Sequence, residues 1–208
     1  MIDTKQKILD TAERLIADQG YAATSLRHII AEAGVNLAAI HYHFGSKEEL
    51  LDEIILRKAD PVNRQRLARL DKLEHEAGAG PVAVEKVLEA FLKPMAEAAD
   101  RNRSFVPFMG RLMAEGLLPV LAKRHFQVVT ARVLAALRKA LPDLSDEEFA
   151  WRMHFMSGTL AYTMSGTTHF PNLDLGEGDF RGRIGRLVTF LSAGFRAPAT
   201  VAEKSEEK

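Results

Sequence analysis

Within one short stretch stand residues whose types suit contact with a nucleic-acid backbone: Arg27, then His41, Tyr42 and His43, then Lys47. Guanidinium and ammonium groups attract phosphate oxygens by charge, and a phenol or imidazole holds them by hydrogen bonds. Thr24 adds a hydroxyl that can cap a helix and meet phosphate as well. Asn36, Leu37, Ala38 and Ala39 precede the histidines. Small side chains let a helix approach base edges closely, and apolar ones suit thymine methyl groups. Paired histidines also suggest metal binding. His41 and His43 are two residues apart, so on a helix their side chains diverge by about 200° and do not share an ion.

The flanking residues predict the elements that position this set. A first helix over Thr4–Gln19 has an apolar stripe of Ile8, Leu9, Ala12, Leu15 and Ile16, and Gly20 ends it. Thr24 or Ser25 caps a second helix that buries Leu26, Ile29, Ile30 and Ala33, and Gly34 suits the sharp turn that follows. Asn36 caps a third helix from about Leu37 to Phe44, with Val35, Ile40 and Phe44 facing inward. Two short helices across a tight turn form a helix-turn-helix, which makes duplex DNA the expected partner. Ser46 and Glu49 form a capping box for a fourth helix carrying Leu50, Leu51, Ile54 and Ile55. Pro61 is expected to break or kink that helix, with a domain boundary between Arg57 and Asn63.

The segments Gly20–Ser25, Ala33–Val35 and His41–Leu51 resemble the amino-terminal module of the TetR family of ligand-responsive regulators. The resemblance covers roughly residues 5 to 55. It implies an all-α chain: a helix-turn-helix head over 1–56 and a helical ligand-binding and dimerising body over 57–196. The composition of the terminal residues 197–208 predicts a disordered tail. The resemblance also implies DNA contacts from Thr24, Arg27, Asn36, Leu37, Ala38, Ala39, His41, Tyr42, His43 and Lys47. Tyr42 and Lys47 match the family's usual phosphate positions. Arg27 reads as a base or phosphate contact, or as the partner of Glu32. The family often has serine, lysine and glycine on the groove-facing edge, so Leu37 and Ala38 depart from its pattern.

Charge gives this reading no overall support. Formal net charge is zero, and the first 47 residues balance Lys5, Lys7, Arg14, Arg27 and Lys47 against Asp3, Asp10, Glu13, Asp18 and Glu32. Placement must supply a local positive field instead. The chain has no cysteine, which removes disulfides, thiolate metal sites and cysteine nucleophiles. It shows no leader pattern and no uncharged apolar run long enough for a membrane span, so a cytoplasmic location is expected. Ser157 and Ser165 lack the strand-turn-helix setting of a nucleophile elbow, and no glycine-rich phosphate loop occurs. His75 and His169 have no partner at metal spacing. Neither enzyme chemistry, metal nor cofactor is expected.

Beyond the head, helical patterns cover about Val82–Ala99, Ser104–Glu115, Pro119–Leu141, Ser145–Thr167 and Asp179–Phe195. Ser145 and Glu148 form a second capping box, and Pro171–Gly178 reads as a loop. Gly158, Ala161 and Ser165 make a stripe of small residues that permits close helix approach, within one subunit or between two. In the resembled family the last two long helices dimerise, which assigns that stripe and Ile184, Leu187, Val188, Leu191 and Phe195 to the interface. A recognition helix reads few bases, so a two-fold pair on a palindromic operator is the expected form. Phe105, Phe108, Met109, Met113, His125, Phe126, Trp151, His154, Phe155 and Tyr162 offer an adaptable aromatic wall for an effector of unknown identity, or ordinary core. The resulting expectation is a homodimeric repressor released from DNA by a small molecule. The alternative is a helical small-molecule binding or scaffold protein that has lost operator binding.

Overall fold

The structure is a computed structural model that describes residues 3–165 and 179–199. The described residues are helical throughout: α1 (Thr4–Gln19), α2 (Leu26–Ala33), α3 (Leu37–His43), α4 (Lys47–Ala77), α5 (Val84–Arg101), α6 (Phe105–Ala114), α7 (Leu118–His125), α8 (Gln127–Ala140), α9 (Asp146–Ser165) and α10 (Phe180–Arg196). The expected loop Pro171–Gly178, His169 and the tail from residue 200 lie outside the described residues. Among those described, no helix is long and apolar enough to cross a membrane.

Local chemistry sets the head. Asp3 accepts from the Lys5 amide to start α1, and Ser25 accepts from His28 N to start α2. Gly34 ends α2 in the left-handed region at φ +59°, which a residue without a Cβ adopts at little cost. Asn36 then accepts from Ala39 N at 2.9 Å to start α3. Both halves of the Ser46–Glu49 capping box form, at 3.1 and 3.0 Å. Ile8, Leu9, Ile16, Ile29, Ile40 and Phe44 close a core beneath α2 and α3, as their spacing predicts.

Three expectations fail at elements of the body. The helix that starts at Lys47 does not break at Pro61 but runs unbroken to Ala77. Proline removes a single N–H, and on either side of it Lys58, Ala59, Val62 and Arg66 are held in packing. The predicted helix over 119–141 divides at Phe126, because the His125 carbonyl accepts from Asn63 Nδ2 on α4 at 3.0 Å. The second capping box is half made: Ser145 Oγ caps Glu148 N, but the Glu148 carboxylate turns to Arg152.

In the body, α10 lies along α5, α5 against α4, and α6 between α1 and α9. At Gly110 α6 comes close to α9: an added Cβ would stand 2.8 Å from the Met164 carbonyl oxygen. Arg66 is buried between α4 and α5, donating to Phe91 O at 2.8 Å and Asn63 Oδ1 at 3.0 Å with the Phe91 ring 4.2 Å away. Burial pushes its guanidinium down to about 9.

Candidate nucleic-acid interface

The outer edge of α3 carries Asn36, Leu37 and Ala38 exposed and Ala39 half-buried, while Ile40 anchors the helix from below. Leu37 is 53% exposed and Tyr42 86%, large values for residues with so much apolar surface in an otherwise packed head. The Tyr42 hydroxyl has no partner among the described residues. His43 sets its ring edgewise to Tyr42 at 5.0 Å, and His41 Nδ1 lies 3.2 Å from Gly45 O at the end of the same helix. These residues therefore form one continuous surface with the helix start leading, the geometry required for a helix that presents its N-terminal side chains to a groove.

Charge placement settles the neutral count. Glu32 is taken by Arg14 at 2.7 Å, Asp10 by Arg57 at 2.6 Å, and Glu13 by Arg57 and Lys58, each at 2.7 Å. Arg27 is exposed and has no ion pair among the described residues, so its alternative role beside Glu32 is not adopted. Asp10, Glu13 and Glu32 are thus paired and Asp18 lies 3.9 Å from Arg14, while Arg27 is left free on this surface as positive field for phosphate.

Two expected contacts need revision. Thr24 is fully buried and is not the cap: its hydroxyl donates to Gly20 O at 2.7 Å, and Ser25, the exposed neighbour, caps α2. Tertiary closure of the α1–α2 turn takes up the hydroxyl, so it is not presented to phosphate. Lys47 is half-buried, with Nζ 2.6 Å from Tyr21 O and 4.0 Å above the Tyr21 ring. Burial pushes this ammonium below its ordinary value, against the pull of Glu48 and Glu115. One of its three N–H donors is spent and two remain. Burial also pushes the Tyr21 phenol up to about 12, with Glu48 adding to the effect.

The aromatic wall expected for an effector divides into two surfaces. Phe105, Phe108 and Met109 are buried in the core, Met113 and Phe126 pack at its edge, and the His125 ring is held by Asp52 at 2.9 Å. Trp151, His154, Phe155 and Tyr162 stand on the outer side of α9, exposed, and do not share a wall with them. The reason is helical phase: Met156 and Met164 take the inward stripe of α9, leaving the larger rings outside. Conversely Ile184, Leu187, Val188, Leu191 and Phe195 are buried within this subunit, because α10 must cover α5. What α9 and α10 leave outside is a groove of about 480 Å³ lined by His154, Phe155, Gly158, Phe190 and Gly194. Ala161 and Ser165 lie farther along the same helix, half-buried and exposed.

Residues 8–54 match the family described as bacterial regulatory proteins, tetR family, and residues 88–194 match the tetracyclin repressor-like C-terminal domain. The chain belongs to the TetR family. The helix-turn-helix transcriptional regulator YerO of Bacillus subtilis is 29% identical over 144 residues, 68% of this chain and 46% of that protein. The regulator AcrR of Shigella flexneri is 48% identical over 52 residues, 25% of this chain and 24% of its own. The chain thus spans less than half the length of these curated relatives. A TetR-family regulator from Bordetella parapertussis has the same fold, with a TM-score of 0.65 at 17% identity over 92% of this chain and 95% of its own. TetR-family relatives are transcription regulators, not enzymes. Sequence reasoning left Thr24 and Ser25 open as the cap of α2, which falls to Ser25, and missed Glu115, whose carboxylate reaches the α1–α2 turn from the body. No local signal marks Glu115, 94 residues away in sequence from Tyr21.

Proposed function

We propose that the protein is a homodimeric, DNA-binding transcriptional repressor that a small-molecule effector releases from its operator. The observation that carries this reading is the surface of α3 and α2: a small, apolar leading edge, a free phenol at Tyr42 and an unpaired Arg27, with the neighbouring acids neutralised. Asn36, Leu37, Ala38 and Ala39 face the bases in this reading, and Arg27, His41, Tyr42, His43 and Lys47 hold phosphate. The head spans 1–56 and the body 57–196.

Two-fold pairing uses the outer face of α9 and α10, where exposed Trp151, Phe155, Tyr162 and Phe190 flank the groove at Gly158. Exposed aromatic surface of this kind favours a protein partner over solvent. The effector sits in the body interior near Phe105, Phe108, Met109, Met113 and Phe126, and a cavity of about 450 Å³ beside Val62, Gln65, Ala98 and Phe105 supports access from the side of the head. Release requires the effector to bind more tightly to a body conformation that shifts α4 and spreads the two heads.

Selection from a pool of random duplexes, followed by titration, tests the reading. Wild type enriches a palindrome, and combined Tyr42→Phe and Lys47→Ala weaken binding about equally on all sequences, as loss of phosphate contacts does. Absence of any sequence-selective binding by wild type defeats the reading in favour of a helical binding protein without operator function.

A further inference from the structure

The turn between α1 and α2 is gripped by the body. Glu115, the residue that ends α6, accepts from the backbone N–H of Tyr21 at 2.9 Å and of Ala22 at 3.0 Å with its two carboxylate oxygens. One turn earlier on the same helix, Arg111 Nη2 donates to Asp18 O at 3.1 Å, in the last turn of α1. Gly20 has φ +96°, and an added Cβ there would overlap the Glu115 carboxylate, so the close approach depends on glycine twice over. The other backbone polar group of Tyr21, its carbonyl, is held by Lys47 Nζ. Tyr21 therefore stands between a carboxylate from the body and the lysine at the start of α4.

We propose that Glu115 is a positioning residue for DNA recognition: it fixes the Gly20–Ala22 turn, and through Tyr21 it orients Lys47. The inference rests on the reading of the α2–α3 surface as the DNA contact. The bond to Tyr21 O fixes the place of the Lys47 ammonium and leaves two of its three donors for phosphate. The same turn leads to Thr24, locked onto Gly20 O, and to Ser25, which caps α2 ahead of Arg27. Ala22 is exposed and Glu115 half-buried, so water can replace the lost bonds in a variant. The fold then survives while the orientation is lost.

The test uses the full chain and a duplex that wild type selects from a random pool. Glu115→Ala weakens binding about tenfold, the scale of a charge-assisted hydrogen bond. It also lowers the slope of log affinity against log salt by roughly 2 per dimer, as loss of one phosphate contact per head does. Added to Lys47→Ala, it costs little more, because both act through one contact. Glu115→Gln, which keeps one acceptor oxygen, restores part of the affinity. In Glu115→Ala the Tyr21 and Ala22 amides exchange with solvent faster than in wild type, with the unfolding midpoint nearly unchanged. Wild-type affinity and salt slope in Glu115→Ala overturn the inference alone, as do fully additive losses with Lys47→Ala. A wild-type protein that selects no duplex overturns the regulator reading and this inference with it.

Discussion

Replacing Lys58 by methionine tests the polar contact that joins α1 to α4 and α6. Lys58 Nζ lies 2.7 Å from Glu13 Oε1 and 3.1 Å from Ser104 Oγ, with the two charged side chains 3% and 10% exposed. Burial alone raises the Glu13 carboxyl, but hydrogen bonds from Lys58 and Ser104, the Lys58 charge and a bond from Arg57 together hold it below the ordinary value. Burial pushes the Lys58 ammonium down, and Arg57 beside it adds to that effect. One buried carboxylate facing two cations explains why the acid is the better stabilised partner. Breaking a buried pair costs about 3–5 kcal/mol, and Arg57 still faces Glu13, which places Lys58→Met near 3 kcal/mol, or about 6–12 °C in Tm for a chain of this size. Combined Glu13→Leu and Lys58→Met recovers most of the loss, since no buried charge is stranded and Arg57 keeps Asp10 at 2.6 Å and Gln6 at 3.2 Å. Urea unfolding followed by circular dichroism at one protein concentration measures wild type, Glu13→Leu, Lys58→Met and the double variant. A depressed carboxylate contributes stability that is complete above its unfolded value of about 4.3 and is lost as pH falls through the lower folded value. Wild type should show that acid limb and the double variant should lack it. A loss below about 1 kcal/mol in Lys58→Met, or a double variant as weak as the sum of both singles, refutes the reasoning.

Other perturbations have different signatures. Phe108→Ala empties a fully buried position and should cost about 3–5 kcal/mol in denaturant unfolding. Gly110→Ala forces α6 away from the Met164 carbonyl and should cost about 1–3 kcal/mol by the same assay. Arg27→Ala should leave the unfolding midpoint in place, because the side chain is exposed and unpaired, while fluorescence anisotropy shows duplex affinity about tenfold weaker.

The legible parts of the fold were those decided within a few residues. Gly34, Asn36 and the Ser46–Glu49 box fix their own turns through bonds to neighbouring backbone, so sequence and structure agree on them. Thr24 and Phe126 were illegible for the opposite reason. The Thr24 hydroxyl is claimed by a turn that closes in three dimensions, and α7 stops where Asn63, 62 residues away, takes a carbonyl. The last two helices were legible as apolar stripes but not as faces: the pattern on α10 shows that Ile184 and Leu191 are buried without showing that α5 covers them. On α9 the methionines face inward and Trp151 and Phe155 outward, which residue type alone did not show. At the candidate interface Tyr42 and Arg27 were expected from residue type and spacing, and both stand exposed there. Glu115 was not, because its role exists only through a distant contact.

Continuity of α4 through Pro61 has a mechanical consequence. Thirty-one residues at 1.5 Å each make a stiff rod of about 46 Å that bears Lys47 at its head end and is held by the body at Asp52, Lys58 and Asn63. A tilt of the whole rod by about 5° about its Ala77 end, with these contacts moving along, carries the tip through about 4 Å, more than the 3.4 Å rise between successive nucleotides of one DNA strand. Angular changes too small to disturb the packing around Leu70 are therefore large enough to take a reading head out of register.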